Sequence, residues 1–196
     1  MLGLLAAFLL MLALATACSG GNDREATSEP RTPLHRPLHL PTVGSGAPCP
    51  VTAGGRPNPD VAIALGSGPA YPVLGFEGNH VPPDPKAVVP LRSEDLKGNV
   101  YWHKTLWTVD PEYDGPVLIR ARGLDPREAL RFGIPGAEPG GTAELVRELE
   151  FRPEKSVSWR YGPSFTILPG PGCYAFQVDG TDFSEVIVFE AAVVAS

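Results

Sequence analysis

The chain has few of the side chains from which most active sites are built. It holds four histidines in 196 residues, and only His80 and His103 lie in the part from residue 49 onward. Gly-x-Ser-x-Gly, His-Glu-x-x-His and glycine-rich phosphate-binding motifs are missing. These absences argue against an enzyme, since a general base needs a partner within hydrogen-bond reach. We therefore predict no catalytic residue, no metal and no cofactor.

Positive charge is also scarce. Lysine and arginine number 16 against 22 aspartates and glutamates, which gives a net charge of −6. Acids and bases balance between residues 19 and 48, so the acidic excess lies in residues 49–196. Nucleic acids and anionic membrane surfaces are bound by clustered Lys and Arg. The charge argues against both as partners.

The single long apolar run is too short to span a bilayer. It covers residues 1–17, whereas a spanning helix needs about 20 apolar residues. Ala15-Thr16-Ala17-Cys18, followed by Ser19-Gly20-Gly21, resembles the lipobox of bacterial lipoproteins. The resemblance implies that residues 1–17 are a signal peptide and that Cys18 carries fatty acids such as palmitate. The protein would then be exported and anchored to a membrane on its extracytoplasmic side.

An ordinary signal peptide offers a second interpretation of the same run. Small residues at Ala15 and Ala17 also suit cleavage without lipidation, with Cys18 nearby by chance. Both interpretations export the chain.

Only Cys49 and Cys173 remain once Cys18 is assigned to lipid. Disulfides persist in oxidising compartments, so an exported chain favours a bridge between the two. The alternative is a pair of free thiols that serve as small apolar core residues. There is no Cys-x-x-Cys motif to suggest redox chemistry.

Residues 18–48 are rich in Ser, Gly, Thr and Pro and have almost no aliphatic periodicity. Such a composition buries too little apolar surface to offset the entropy of ordering. We predict a flexible linker with extended, polyproline-like stretches. His35 and His39 lie in it, but two histidines without a third ligand are a weak metal signal.

Residues 49–196 have the pattern of an all-β domain. Short apolar or alternating runs are separated by Gly, Pro, Asn and Asp turn clusters. The pattern predicts an antiparallel two-sheet sandwich of about seven or eight strands. Asp110–Gly115 mimics the start of a calcium loop but lacks its closing glutamate, so we expect a hairpin turn there. The runs are Val61–Leu65, Val100–Val109, Val117–Ala121, Leu145–Phe151, Ser164–Leu168, Cys173–Val178 and Val186–Glu190.

The most recognisable segment runs from Pro171 to Phe189. Alternation places Cys173, Ala175 and Gln177 on one strand face and Tyr174, Phe176 and Val178 on the other. This segment resembles the final hairpin of immunoglobulin-like domains and of uncharacterised bacterial envelope proteins. The resemblance implies an immunoglobulin-like fold for residues 49–196 and no particular activity.

Aromatic residues are the best candidates for recognition. Exposed rings stack on sugars and carry binding hot spots, and we select Tyr101, Trp107, Trp159 and Tyr161 as a candidate stacking set. On a strand, Trp107 and Trp102 point to opposite faces, so one of them is expected to face outward unless a loop covers it.

Two functions from different classes fit this sequence. The first is a tethered, non-enzymatic accessory module that binds another envelope protein. The second is a surface module that binds carbohydrate through the stacking set. A surface protein without a specific ligand is a third alternative.

Overall fold

Short β-strands account for nearly all the regular structure of this protein. The computed structural model describes residues 34–76, 80–84, 86–141, 144–152 and 154–194. Cys18 and the predicted signal peptide lie outside these ranges. Within them the only helix is a 3₁₀ turn at Ser93–Asp95, and no helix there is long and apolar enough to cross a membrane. In chain order the strands are β1 (Gly54–Gly55), β2 (Ala64–Leu65), β3 (Ala70–Val73), β4 (Val89–Leu91), β5 (Leu96–Lys97), β6 (Val100–Val109), β7 (Val117–Gly123), β8 (Arg131–Gly133), β9 (Leu145–Val146), β10 (Glu148–Phe151), β11 (Arg160–Leu168), β12 (Gly172–Asp179) and β13 (Ser184–Val193).

The strands form two sheets that pack as a sandwich, which confirms the predicted fold class. One sheet has eight strands in the order β1-β2-β3-β6-β11-β8-β9, with β5 also paired to β6. The other has five strands in the order β10-β7-β12-β13-β4. All pairs are antiparallel except β4 with β13. The structure has more strands than the seven or eight that the sequence predicts. The additional strands are short, and Pro72 and Pro90 interrupt the apolar pattern of β3 and β4.

Two connections cross between the sheets of the sandwich. β6 and β7 are consecutive but lie in different sheets, as do β11 and β12. The Tyr174 hydroxyl at the start of β12 donates to the Gly170 carbonyl at 2.5 Å. This contact is the tyrosine corner found where a strand crosses between sheets in such domains. Burial raises the pKa of Tyr174, an effect that the hydrogen bond to Gly170 partly opposes.

The core between the sheets is built from large aromatic side chains. Trp107 on β6 meets Phe176 on β12 edge to face, with ring centroids 5.0 Å apart. Phe176 in turn stacks on Phe189 of β13 at 4.9 Å. All three rings are fully buried, and burying a ring of this size contributes about 2–3 kcal/mol. The Trp107 indole N–H donates to the Ser164 hydroxyl at 3.3 Å, which satisfies the buried donor.

The C-terminal hairpin has the two faces that alternation predicts. Tyr174, Phe176 and Val178 belong to the core between the sheets. Cys173 and Ala175 belong to a separate apolar cluster on the outer side of the five-stranded sheet. Both faces of β12 are therefore in apolar contact. The paired hairpin of β12 and β13 begins where Gly172 is opposite Ala191.

The structure corrects the predicted boundary between linker and domain. Residues 34–48, which we call the N-terminal segment, lie along the outer face of the five-stranded sheet. The Gln177 side chain accepts from His39 N–H at 2.7 Å and donates to the Pro37 carbonyl at 3.0 Å. Leu40 and Val43 pack on the outer apolar cluster. This part of the predicted linker is therefore a third layer of the domain.

A buried carboxylate holds this layer in place. Asp179, at the end of β12, has no exposed side-chain surface and accepts from Arg120 Nη2 at 2.6 Å. The Ser184 hydroxyl donates to the same carboxylate at 2.6 Å. Arg36 of the N-terminal segment lies 3.8 Å away and donates to the Gly180 and Phe183 carbonyls at 2.6 and 2.9 Å.

A disulfide fixes the other end of the N-terminal segment. Cys49 and Cys173 are bonded, with Cα atoms 5.5 Å apart and a sequence separation of 124 residues. The predicted bridge is thus present. In the chain-entropy model a loop of this length corresponds to about 5 kcal/mol of stabilisation.

The segment Asp110–Gly115 is not the hairpin turn expected from its sequence. It joins β6 of one sheet to β7 of the other, so it arches over one end of the sandwich. The Asp110 carboxylate accepts from the Glu112 N–H at 2.8 Å, a local turn contact that accounts for the aspartate.

Replacing Asp179 with Asn should strongly destabilise the domain. The substitution leaves Arg120 without its buried counter-charge, and breaking a buried ion pair costs about 3–5 kcal/mol. Urea unfolding of the disulfide-bonded protein measures this loss. Asp182→Asn, in the same turn but exposed, is the matched control and should change stability by less than about 0.5 kcal/mol. Equal losses in both variants would contradict the role given to Asp179.

Candidate interaction surface

The two outer faces of the sandwich differ in what covers them. The N-terminal segment lies on the outer face of the five-stranded sheet. On the eight-stranded sheet, Ala137 and Leu145 cover one end by packing with Trp102. The other end, near Tyr161, stays open, since Tyr161 is 49% exposed.

At this open end, three neighbouring strands each place one residue in a cross-strand row. Thr108 of β6 is opposite Tyr71 of β3 on one side and opposite Tyr161 of β11 on the other. Trp159, just before β11, lies beside Tyr71, with ring centroids 6.1 Å apart. Trp159 is half-buried and Tyr71 is buried, so Tyr161 is the most accessible ring.

A buried asparagine fixes Tyr161. The side chain of Asn58 is fully buried, and its Nδ2 donates to Thr108 Oγ1 at 2.9 Å and to the Tyr161 hydroxyl at 3.1 Å. Asn58 Oδ1 accepts from the Asp60 N–H at 2.9 Å. Because both polar atoms of the Asn58 side chain have partners, Tyr161 is held in place while its ring stays open to solvent.

The next cross-strand row is aliphatic. Leu106 of β6 is opposite Val73 on one side and Pro163 on the other. Pro163 is exposed, while Val73 and Leu106 are partly exposed. The two rows and the neighbouring indole form one surface, which we call the aromatic face. Its members are Tyr71, Val73, Leu106, Trp159, Tyr161 and Pro163.

The structure divides the predicted stacking set. Trp159 and Tyr161 lie on the aromatic face. Trp107 has no exposed surface, so its selection is corrected: its side of β6 is the core side. Tyr101 is at the opposite end of β6, where it packs partly buried against the core. Trp102 points outward, as alternation requires, but a loop covers it.

Tyr71 belongs to the aromatic face but was not selected from the sequence. It follows the turn Gly66–Pro69, which Glu185 of β13 holds by accepting from the Ser67 and Gly68 N–H groups at 2.6 and 3.2 Å. Gly68 has a φ of +89°, and a Cβ there would lie 2.0 Å from the Tyr71 hydroxyl. The Gly-Ser-Gly motif is therefore explained by close packing against a tyrosine.

Backbone pairing leaves one edge open beside the aromatic face. β11 pairs with β6 along its whole length but with β8 only from Phe165 to Ile167. Pro163 lies in the stretch without a described second partner. Proline has no N–H to donate and is confined to sheet edges, where it hinders pairing with another strand. The aromatic face therefore favours side-chain contacts over strand addition.

No protein-family model matches this chain. No curated protein matches it at a significant level either. The argument for function therefore starts from the two outer faces and their side chains.

The two histidines that follow Cys49 in the sequence, His80 and His103, have structural contacts. His80 Nδ1 lies 2.9 Å from the Asp84 carboxylate in an exposed loop. His103 is buried, and its Nε2 lies 2.8 Å from the Leu74 carbonyl. Burial lowers the pKa of His103, an effect that the Leu74 hydrogen bond partly opposes. The fold therefore favours the neutral imidazole, with Nε2 as the donor.

Stability should fall as the pH is lowered through the range where unfolded histidine titrates. The unfolded chain binds a proton near pH 6.5, whereas folded His103 resists it, so acid favours unfolding with a slope of at most about 1.4 kcal/mol per pH unit. Chemical unfolding between pH 7.5 and 5 should show this slope, and His103→Gln should reduce it. Lys104→Gln, at an exposed position next to His103 on β6, is the control and should keep the slope of the parent, since lysine side chains ordinarily titrate well above this pH range. An unchanged slope in His103→Gln would refute the assignment.

Proposed function

We propose that this chain is an exported, lipid-anchored and non-enzymatic envelope protein that binds another extracytoplasmic protein through its aromatic face. The observation that carries the proposal is the contrast between the two outer faces. The chain covers one with its own N-terminal segment and leaves Tyr161 and Pro163 exposed on the other. Rigid aromatic side chains with adjacent aliphatic residues are typical of binding hot spots.

Rigidity supports a binding role for this face. Tyr161 is positioned by Asn58, and Leu106 is in the middle of three paired strands. A partner that binds here orders few side chains, so less of its binding energy is lost to entropy.

Site-specific crosslinking in cells tests this proposal. A photoreactive phenylalanine at Pro163 should capture one reproducible envelope protein. The same group at Val193, exposed on the other sheet, is the control and should not capture it. Tyr161→Ser should weaken capture at Pro163 at least tenfold, because it removes the accessible ring. Equal capture from Pro163 and Val193 would count against the aromatic face.

A carbohydrate ligand is the second candidate, favoured by the half-exposed Tyr161 ring beside Trp159. Trp102 and Trp107 are buried, so Trp159 is the tryptophan that can report binding by fluorescence. Polysaccharide should quench the parent protein and leave Trp159→Phe unaffected if carbohydrate is the ligand. Quenching of this kind, without protein capture at Pro163, would replace the first candidate with the second.

The anchor is tested separately, since Cys18 lies outside the described residues. Replacing Cys18 with Ser removes the thiol that would carry the lipid but leaves Ala15 and Ala17 for ordinary cleavage. The variant should move from the membrane fraction to the soluble extracytoplasmic fraction. Retention of Cys18→Ser in membranes would rule out anchoring through this residue. Cys49→Ser, which breaks the disulfide instead, is the control and should stay membrane-bound.

A further inference from the structure

A second candidate binding site lies on the opposite side of the sandwich from the aromatic face. It is a pocket of about 240 Å³ between the N-terminal segment and the end of β7. Its walls are formed by Leu38, Leu40, Arg122, Gly123, Leu124 and Arg127.

Arg122 has no partner in the part of the chain that the structure describes. It is partly buried on β7, yet its guanidinium makes no hydrogen bond there and has no carboxylate within 4.0 Å. None of its guanidinium nitrogens is among the buried, unpartnered atoms of the described residues, so they are open to solvent and to a ligand.

The register of the sheet explains this lack. Arg120, two residues earlier on the same face, is opposite Gln177 and reaches Asp179. Arg122 is opposite Ala175, which offers neither charge nor hydrogen bond. On this face of β7, Arg120 therefore has an acidic partner, whereas Arg122 has none.

Arg127 brings a second positive charge to the pocket. Its Nη2 donates to Thr42 Oγ1 at 2.7 Å and to the Pro41 carbonyl at 3.1 Å. Both acceptors are uncharged, so the positive charge of Arg127 is not neutralised by these contacts. Two guanidinium groups at one pocket suit an oxyanion, which arginine binds in bidentate geometry.

The remaining walls are aliphatic. Leu38 and Leu40 come from the N-terminal segment, and Leu124 directly follows β7. The pocket of about 240 Å³ is far larger than the space that a single water needs, about 10–15 Å³ on the same measure. It fits one oxyanion group and several carbon atoms.

We propose that this pocket binds a carboxylate or phosphate group carried on a short aliphatic chain. Arg122 pairs with the oxyanion, Arg127 adds a second positive charge, and the leucines contact the aliphatic part. The site depends neither on the membrane anchor nor on the aromatic face.

Calorimetry on the exported, disulfide-bonded Cys18→Ser chain tests the proposal with octanoate and hexyl phosphate as probes. Both should bind at least tenfold more tightly than acetate, inorganic phosphate and octanol, which each lack one half of the recognised structure. Arg122→Gln should weaken octanoate binding at least tenfold. Arg131→Gln, an exposed strand arginine of the other sheet, is the matched control and should leave binding unchanged.

Two further results would overturn the proposal. One is octanoate affinity that is equal in Arg122→Gln and in the parent. The other is no octanoate binding at millimolar concentration by a chain whose unfolding transition shows that it is folded. Arg127→Gln is less informative because it also removes contacts to Pro41 and Thr42.

Vesicles identify the source of the ligand. If the ligand is a lipid headgroup, phosphatidylglycerol vesicles should bind the Cys18→Ser chain, phosphatidylcholine vesicles should not, and Arg122→Gln should abolish the binding. Octanoate binding without vesicle binding would assign the pocket to a free amphiphile.

Discussion

The buried carboxylate of Asp179 is the contact on which the layered structure depends. It joins three parts of the chain that are far apart in sequence: β12, Arg120 of β7, and Arg36 of the N-terminal segment. A charge with no solvent exposure is tolerated only when its partners compensate for lost hydration. Gln177 and Ser184 complete that set by donating hydrogen bonds to the same carboxylate. The polar network and the apolar contacts of Leu40 and Val43 therefore hold the N-terminal segment against the five-stranded sheet.

Because the N-terminal segment covers one outer face of the sandwich, a broad open surface can lie only on the other. In a two-sheet sandwich both outer faces are available in principle, and solvent normally meets each of them. Here the N-terminal segment, closed at its end by the Cys49–Cys173 bond, occupies one face. The open end of the eight-stranded sheet then offers Tyr161 and Pro163. On the covered face, a smaller pocket remains at Arg122, which has no acidic residue opposite it in the sheet.

The sequence predicts the parts of the fold that depend on local pattern. Period-two alternation was sufficient for the C-terminal hairpin, because its two faces differ in size and polarity from Cys173 to Val178. The disulfide was predicted from the expected export of the chain and from the number of cysteines. The order of the N-terminal segment could not be predicted, because it comes from partners such as Gln177, 138 residues away from His39. Trp107 was misassigned because alternation separates the two faces of β6 without showing which of them is the core side.

The described chain brings the start of the N-terminal segment and the aromatic face to the same end of the sandwich. The first described contacts of the N-terminal segment place Arg36 beside the turn between β12 and β13. The loop between β6 and β7 lies at the same end, since the Tyr113 hydroxyl accepts from the Thr181 N–H. Arg160 donates to the Tyr113 carbonyl at 2.7 Å, so the start of β11, with Tyr161, is also there. The first contacts of the N-terminal segment and the accessible ring of Tyr161 therefore lie at one end of the sandwich, joined through the loop between β6 and β7.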